Sequence, residues 1–406
     1  MKRAPRKPKR GQLALPPEIC ALICEEIGMA RKRDLLAICR VSPLFRDQVQ
    51  RLLYRVIDLS ESSPRRLESW CTAVSRRPQL AESIHTLILE LDPGIALSSN
   101  MAKLARALAK CVNLKELTVR DSTSGRRPYY LSQHPCIQGW VLNTCKFRLT
   151  KFDNFFFSNS MLSQFWNVQC DLRVLSTGHL GDSFPFDAEQ LPNLIGLEVR
   201  DMRALPAARP LERIELHTYP LPTLDHLVPA LIPYSPTLDT LDLLHHLTEW
   251  DAAQTLSIFS HVALAVPDLL HFGFPERLNE AFNYLREAES PADIPFGALS
   301  KFTRLETFFY YSHNTVEFLD HSTGELYDLG IPVDIEAFGR VAMDACPTLR
   351  RVVVAYDLHK PASKRVPKPK DPDVVCTLTR GVAGADTHVE HGTRFDLKKT
   401  SMFWRP

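Results

Sequence analysis

One spacing recurs along this chain and constrains its fold more than anything else: an apolar residue, two spacers, a second apolar residue, one spacer, a third. It stands at Ile84-Leu87-Leu89, Leu114-Leu117-Val119, Leu194-Leu197-Val199, Leu211-Ile214-Leu216, Leu238-Leu241-Leu243, Leu269-Phe272-Phe274, Leu305-Phe308-Tyr310 and Leu349-Val352-Val354. A looser copy is Leu172-Val174-Leu175, and weaker candidates are Ile137-Trp140-Leu142 and Leu149-Phe152. Several copies follow a proline, as in Pro192-Asn193-Leu194, Pro236-Thr237-Leu238, Pro267-Asp268-Leu269 and Pro347-Thr348-Leu349. The last four positions read as a short strand with alternate residues inward, and the first apolar residue anchors that strand to the core.

Between the copies lie helical patterns: Met101-Leu104-Leu108, Met161-Leu162-Phe165-Trp166, Leu224-Leu227-Val228-Leu231, Leu256-Ile258-Phe259-Val262, Leu278-Phe282-Leu285 and Ile335-Phe338-Val341-Ala342. A strand–turn–helix unit of this size buries its apolar face only against its neighbours, so the expected fold is an α/β solenoid with a parallel sheet. A plain α/β domain with a parallel sheet is the alternative. Copy spacing runs from about 12 to 44 residues, and the long intervals Phe274–Leu305 and Tyr310–Leu349 read as projecting loops.

The first sixty residues carry a different pattern. Pro16 and Pro17 suit a first helical turn, and Ile19, Leu22, Ile23 and Ile27 follow at helical spacing. Asp34 can cap a second helix containing Leu35, Leu36, Ile38 and Cys39. Ser42 and Pro43 start a third, with Phe45, Val49, Leu52 and Leu53 on one face. Three short helices cannot bury their own apolar faces. They dock either on the rest of the chain or on another protein.

The run Leu15-Pro16-Pro17-Glu18-Ile19, Asp34-Leu35-Leu36, Val41-Ser42-Pro43-Leu44-Phe45-Arg46 and Leu53-Tyr54-Arg55 resembles an F-box, especially the fungal form. The resemblance spans residues 13–59 with the motif in order and at ordinary spacing. It implies a docking module for the Skp-type adaptor of a cullin-RING ubiquitin ligase. Leu15, Pro16, Ile19, Ile23, Leu35, Leu36, Val41 and Phe45 would then form the adaptor-facing or helix-packing surface. The departure is the basic stretch Ala30-Arg31-Lys32-Arg33, expected in the loop between the first two helices. The region from Ile84 to Asp357 resembles the irregular leucine-rich repeats that follow F-boxes in fungal proteins. The repeat consensus has Asn or Cys eight residues after the first Leu, and only Cys145 fills that place. The backbone turns must therefore be satisfied by other groups.

The resulting organisation is a basic tail (1–12), an F-box (13–59), a connecting helical segment (60–83), a leucine-rich-repeat-like solenoid (84–358), a basic Pro-rich linker (359–374) and a C-terminal segment (375–406). That last segment holds one strand candidate at Val374–Leu378 and ends near Phe403-Trp404; it either caps the solenoid or trails free, and capping is favoured because a solenoid end otherwise exposes apolar edges.

A net charge of +2 is too small to argue for nucleic acid or membrane over the whole surface. The excess is local, at Lys2, Arg3, Arg6, Lys7, Lys9 and Arg10; Pro5 and Pro8 oppose a helix and no aromatic interleaves to stack on bases. A solvated arm is the expected reading. No apolar run reaches the roughly twenty residues of a membrane helix. The ten cysteines never form Cys-x-x-Cys and no Asn-x-Ser/Thr signal is present, which fits a reducing compartment, cytoplasmic or nuclear. Cys20 and Cys24 read as buried thiols.

No Gly-rich phosphate loop, Gly-x-Ser-x-Gly elbow or zinc-ligand spacing occurs, and no acidic pair is set up for acid–base work. His388-Val389-Glu390-His391 reads as a solvated loop, and His245-His246 as a strand end. The expectation is no catalytic residue, no cofactor and no metal. The function expected from the resemblance is substrate recognition in an SCF-type ligase, with the F-box on the adaptor, through it the cullin, and the repeats on an unknown protein substrate. The alternative is a non-ligase repeat scaffold whose N-terminal helices cap the solenoid; binding of nucleic acid by the basic tail is a third reading. Tyr129, Tyr130, Trp250 and Tyr311 are candidate substrate contacts.

Overall fold

The structure is a computed structural model and describes residues 15–28, 31–60, 62–91, 100–121, 139–177, 189–199, 202, 205–206, 209–218, 224–245, 252–276, 295–314, 335–358, 374–381, 387–392 and 403. The chain divides into two compact units, residues 1–152 with 161–169, and residues 153–160 with 170–406.

The first unit opens with three helices, α1 (Pro17–Ile27), α2 (Lys32–Ile38) and α3 (Pro43–Arg55). Pro17 stands at the start of α1 and Pro43 at the start of α3, where a missing N–H costs nothing. Ser42 caps α3, its hydroxyl accepting from the Phe45 amide at 3.2 Å. Asp34 does not cap α2. That helix begins two residues earlier, and Asp34 lies in its first turn, where a carboxylate faces the positive end of the helix dipole.

Helix α3 runs without a break into strand β1 (Val56–Leu59). Helices α4 (Pro64–Arg76) and α5 (Pro78–Glu82) lead to β2 (Thr86–Leu91), and α6 (Asn100–Leu108) to β3 (Glu116–Asp121). β1, β2 and β3 pair in parallel, aligning Ile57 with Leu87 and Leu117, and Leu59 with Leu89 and Val119. The weak candidate Ile137-Trp140-Leu142 is not a strand: Ile137 lies outside the described residues, and α7 spans Trp140–Asn143. Four apolar-rich residues with no alternation suit either element, and here helix prevails. Cys145 accordingly follows a helix, its thiol donating to the Val141 carbonyl at 3.6 Å. Leu149-Phe152 does lead into β4 (Lys151–Phe155). Phe147, Phe152, Phe165 and Trp166 pack edge-on or tilted at 5.5–6.1 Å between centroids, the last two on α8 (Ser163–Trp166). The buried Gln169 amide ties this cluster, accepting from Leu149 N at 2.8 Å and donating to the Phe147 carbonyl at 3.1 Å.

The second unit carries β5 (Val174–Thr177), β6 (Gly196–Val199), β7 (Arg213–Thr218), β8 (Thr240–His245), β9 (His271–Glu276), β10 (Thr307–Asn314) and β11 (Arg351–Leu358), parallel and in chain order. One row of side chains runs through Leu175, Leu197, Ile214, Leu241, Phe272, Phe308 and Val352 in register, and all are buried. Helices α9 (Leu224–Leu231), α10 (Ala252–Ala265) and α11 (Ile335–Ala345), with a 3-10 turn at Pro295–Lys301, occupy the intervals. Phe259 of α10 meets Phe272, Phe274 and Phe308, and Phe338 of α11 meets Tyr310, so this row faces the helices. The Leu278-Phe282-Leu285 candidate lies outside the described residues.

After β11 the direction reverses. β12 (Val374–Arg380) and β13 (Thr387–Gly392) add antiparallel, placing Leu378 beside Val352 and against Gly339 of α11, so the apolar edge of β11 is covered. His388-Val389-Glu390-His391 is therefore part of an edge strand, not a loop, with Val389 opposite Leu378. Parallel strands in chain order, with helices on one face, are a leucine-rich-repeat-type architecture.

The turns are held by two ladders. A single carbonyl, one residue after the first apolar position, accepts two amides of the next unit: Ile195 takes Glu212 and Arg213, Glu212 takes Asp239 and Thr240, and Glu306 takes Arg350 and Arg351, at 2.8–3.0 Å. The residue just before the first apolar position donates backward. Asn113 reaches Glu82 O (2.7 Å), Asn193 reaches Cys170 O (2.9 Å), Thr237 reaches Leu211 O (2.8 Å) and Thr348 reaches Leu305 O (2.8 Å). The side-chain ladder thus exists but sits just before the first apolar residue, within the Pro-Asn/Thr-Leu signal at Asn193, Thr237 and Thr348 and after Val112 at Asn113. Thr237→Val, which keeps the shape and removes the donor, is expected to cost about 1 kcal/mol in urea unfolding; no measurable loss would contradict the ladder.

Nine cysteines among the described residues are free. Burial pushes the thiols of Cys71, Cys111 and Cys145 up to about 12. At pH 8 these three are expected to resist a thiol reagent until the chain unfolds. The sign of the linkage is set by the unfolded chain, whose thiols ionise first. Their contribution is complete below pH 9 and is lost between 9 and 12, so the urea midpoint falls as pH rises through that range.

Candidate docking surface

The N-terminal helices pack on a small core. Cys24, Leu35 and Val49 are its buried centre, with Ile27, Ile38, Cys39, Phe45, Leu52 and Leu53 packed around it. Burial raises the Cys24 thiol above its ordinary value, and the neighbouring Cys20 and Cys39 thiols push the same way. On α1 the inward face is thus Cys20 and Cys24, and the Ile19/Leu22 face points to solvent.

The eight residues singled out by the sequence divide accordingly. Leu15, Pro16, Ile19, Leu36 and Val41 are exposed, Ile23 and Phe45 are half-buried, and Leu35 is core. Leu35 stands against Cys24 and Val49 and is removed from the surface set. Leu22 joins it, at 59% exposure, beside Leu36 at 55% and Val41 at 71%. Its spacing of three from Ile19 was the available signal, since those two positions share a face of α1.

The neighbouring groove between α1, α3 and α5, about 530 Å³, is lined by Glu25, Gln48, Arg51, Arg55, Glu82 and His85 among others. Its polar wall distinguishes it from the exposed apolar residues. Among the described residues no group of three or more His, Cys, Asp or Glu could hold a metal ion. His391 Nε2, on an exposed residue, lies 3.4 Å from Oε2 of the half-buried Glu336. Also among the described residues, no helix is long and apolar enough to cross a membrane. The basic tail, the linker 359–373, Tyr129, Tyr130, Trp250, His246 and the side chain of Tyr311 lie outside what the structure describes.

No family model matches the chain, and no curated protein does. Among solved structures it is similar to the leucine-rich repeat-containing protein LegL7 from Legionella pneumophila, at 13% identity and a TM-score of 0.39, covering 73% of this chain and 83% of that one. The register and connectivity of its own strands define the class here: a leucine-rich-repeat-type α/β repeat protein.

Proposed function

We propose that this chain recruits substrates to an SCF-type cullin-RING ubiquitin ligase, its N-terminal helices acting as an F-box for a Skp-type adaptor and its repeats holding the substrate. The observation that carries the reading is the division on α1 and α2. The helices close a core on Cys24, Leu35 and Val49, yet leave Leu15, Ile19, Leu22, Leu36 and Val41 in solvent. Large apolar side chains left exposed on and beside two short helices favour a protein partner. Mechanistically the chain makes and breaks no bond. It raises the effective concentration of substrate beside a ubiquitin-loaded enzyme supplied by other subunits. Work in the cytoplasm or nucleus follows from this role, with no cofactor required.

Replacing Leu15 and Pro16 together by Ala is expected to abolish co-purification of the adaptor while the repeats stay folded by circular dichroism. Unchanged adaptor recovery would overturn the proposal. A scaffold without ligase function has one observation in its favour: α3 continues directly into β1, the first strand of its sheet. In that case adaptor never co-purifies, with or without the substitutions.

A further inference from the structure

We propose that the sheet face turned away from the helices, over β5 to β8, binds a peptide carrying an aromatic side chain beside basic ones, and that Phe403 occupies its aromatic subsite as a tethered self-ligand. On that face Val174, Gly196 and Arg213 stand in one registered row. Phe403 is fully buried against Val174. Its main-chain carbonyl accepts from Arg213 Nη1 at 3.4 Å. A residue from the end of the chain is thus held as a bound peptide would be, by a buried ring and a backbone contact. Gly196 lies between them in that row, and a Cβ there would make only ordinary contacts, 3.4 Å from Val174 Cγ2 and 3.8 Å from Arg213 Cβ.

The next row explains the basic partner. Ser176, Glu198, Glu215 and Asp242 are aligned across four consecutive strands, all buried. Adjacent strands lie about 4.8 Å apart, so three carboxylates converge at a spacing that calls for positive charge. Ser176 Oγ, at the end of this row beside the Phe403 seat, is buried with no hydrogen-bond partner. The three acids are engaged in the folded chain, so an outside ligand reaches them by exchange. The sequence around Phe403 has the matching chemistry, with Lys398, Lys399, Trp404 and Arg405.

The probe is a labelled peptide of residues 394–406 added to the full-length protein. Phe403→Ala in the protein is expected to strengthen its binding about ten-fold by removing the tethered competitor. Phe403→Ala in the peptide is expected to abolish binding, and adding Glu215→Gln to the vacated protein should weaken it and flatten its salt dependence. Equal affinity for wild-type and Phe403→Ala protein, or an alanine peptide that binds as well as the natural one, would overturn the proposal. Because Phe403→Ala could also perturb folding, the unmodified protein supplies a second readout. Saturating peptide should speed amide exchange at Phe403, and unchanged exchange rejects self-occupancy.

Discussion

Phe259→Ala is expected to remove about 3–5 kcal/mol from the stability of the repeat, the largest effect of any single truncation argued for this chain. Phe259 is fully buried in the middle of α10. Its ring meets Phe272 at 5.3 Å, Phe274 at 5.0 Å and Phe308 at 5.9 Å, all edge-on, and stacks on Phe296 at 6.4 Å. Alanine forfeits the transfer energy of the ring and leaves a cavity among four aromatic neighbours fixed by β9, β10 and the 3-10 turn. Such a loss is a large share of the roughly 5–15 kcal/mol that holds a domain together. Since each repeat leans mainly on its neighbours, the damage should be concentrated around β9 and β10 and read as early hydrogen exchange there. Leu264→Ala, on the same helix at 73% exposure, is the control and should stay within about 0.5 kcal/mol. A Phe259→Ala loss below about 1 kcal/mol in urea unfolding would show that the helix is not the packing centre of this stretch.

The strands were legible because their pattern needs two periodicities at once. In Leu238-Leu241-Leu243 the last two apolar residues alternate as a strand requires, while the first is spaced as a turn anchor requires, and few other structures satisfy both. Where only one constraint operates, reading fails. Val56-Ile57 is β-branched and begins β1, but it follows an uninterrupted helical pattern ending at Arg55, so the helix signal overran it. On α1 both faces are apolar, Ile19/Leu22 on one side and Cys20/Cys24 on the other, and periodicity cannot say which turns inward. The ladder role of Asn193 and Thr237 was hidden for a different reason. Their partners, the carbonyls of Cys170 and Leu211, lie 23 and 26 residues away and emerge only when repeats stack. Phe403 is the extreme case, a terminal aromatic whose neighbours lie on β5 and β7.

Adjacent residues on α2 give opposite expectations, which separates docking from folding. Leu35 is wholly buried against Cys24 and Val49, so Leu35→Asp places a charge without a partner in a three-helix core and should unfold residues 15–55, with adaptor binding lost as a consequence. Leu36 is 55% exposed, so Leu36→Asp should leave stability within about 0.5 kcal/mol. On the proposed function it nevertheless sets a carboxylate in the middle of an apolar interface, where truncation of an anchor commonly costs about 2 kcal/mol or more, a weakening of roughly thirty-fold or greater. Thermal unfolding and adaptor titration on both variants therefore form a two-by-two test. Loss of binding with retained melting for Leu36→Asp assigns the exposed face to the adaptor. Retained binding in that variant assigns it to solvent, because a charge cannot be buried there at no cost, and the helices then serve only to close the first strand of the sheet.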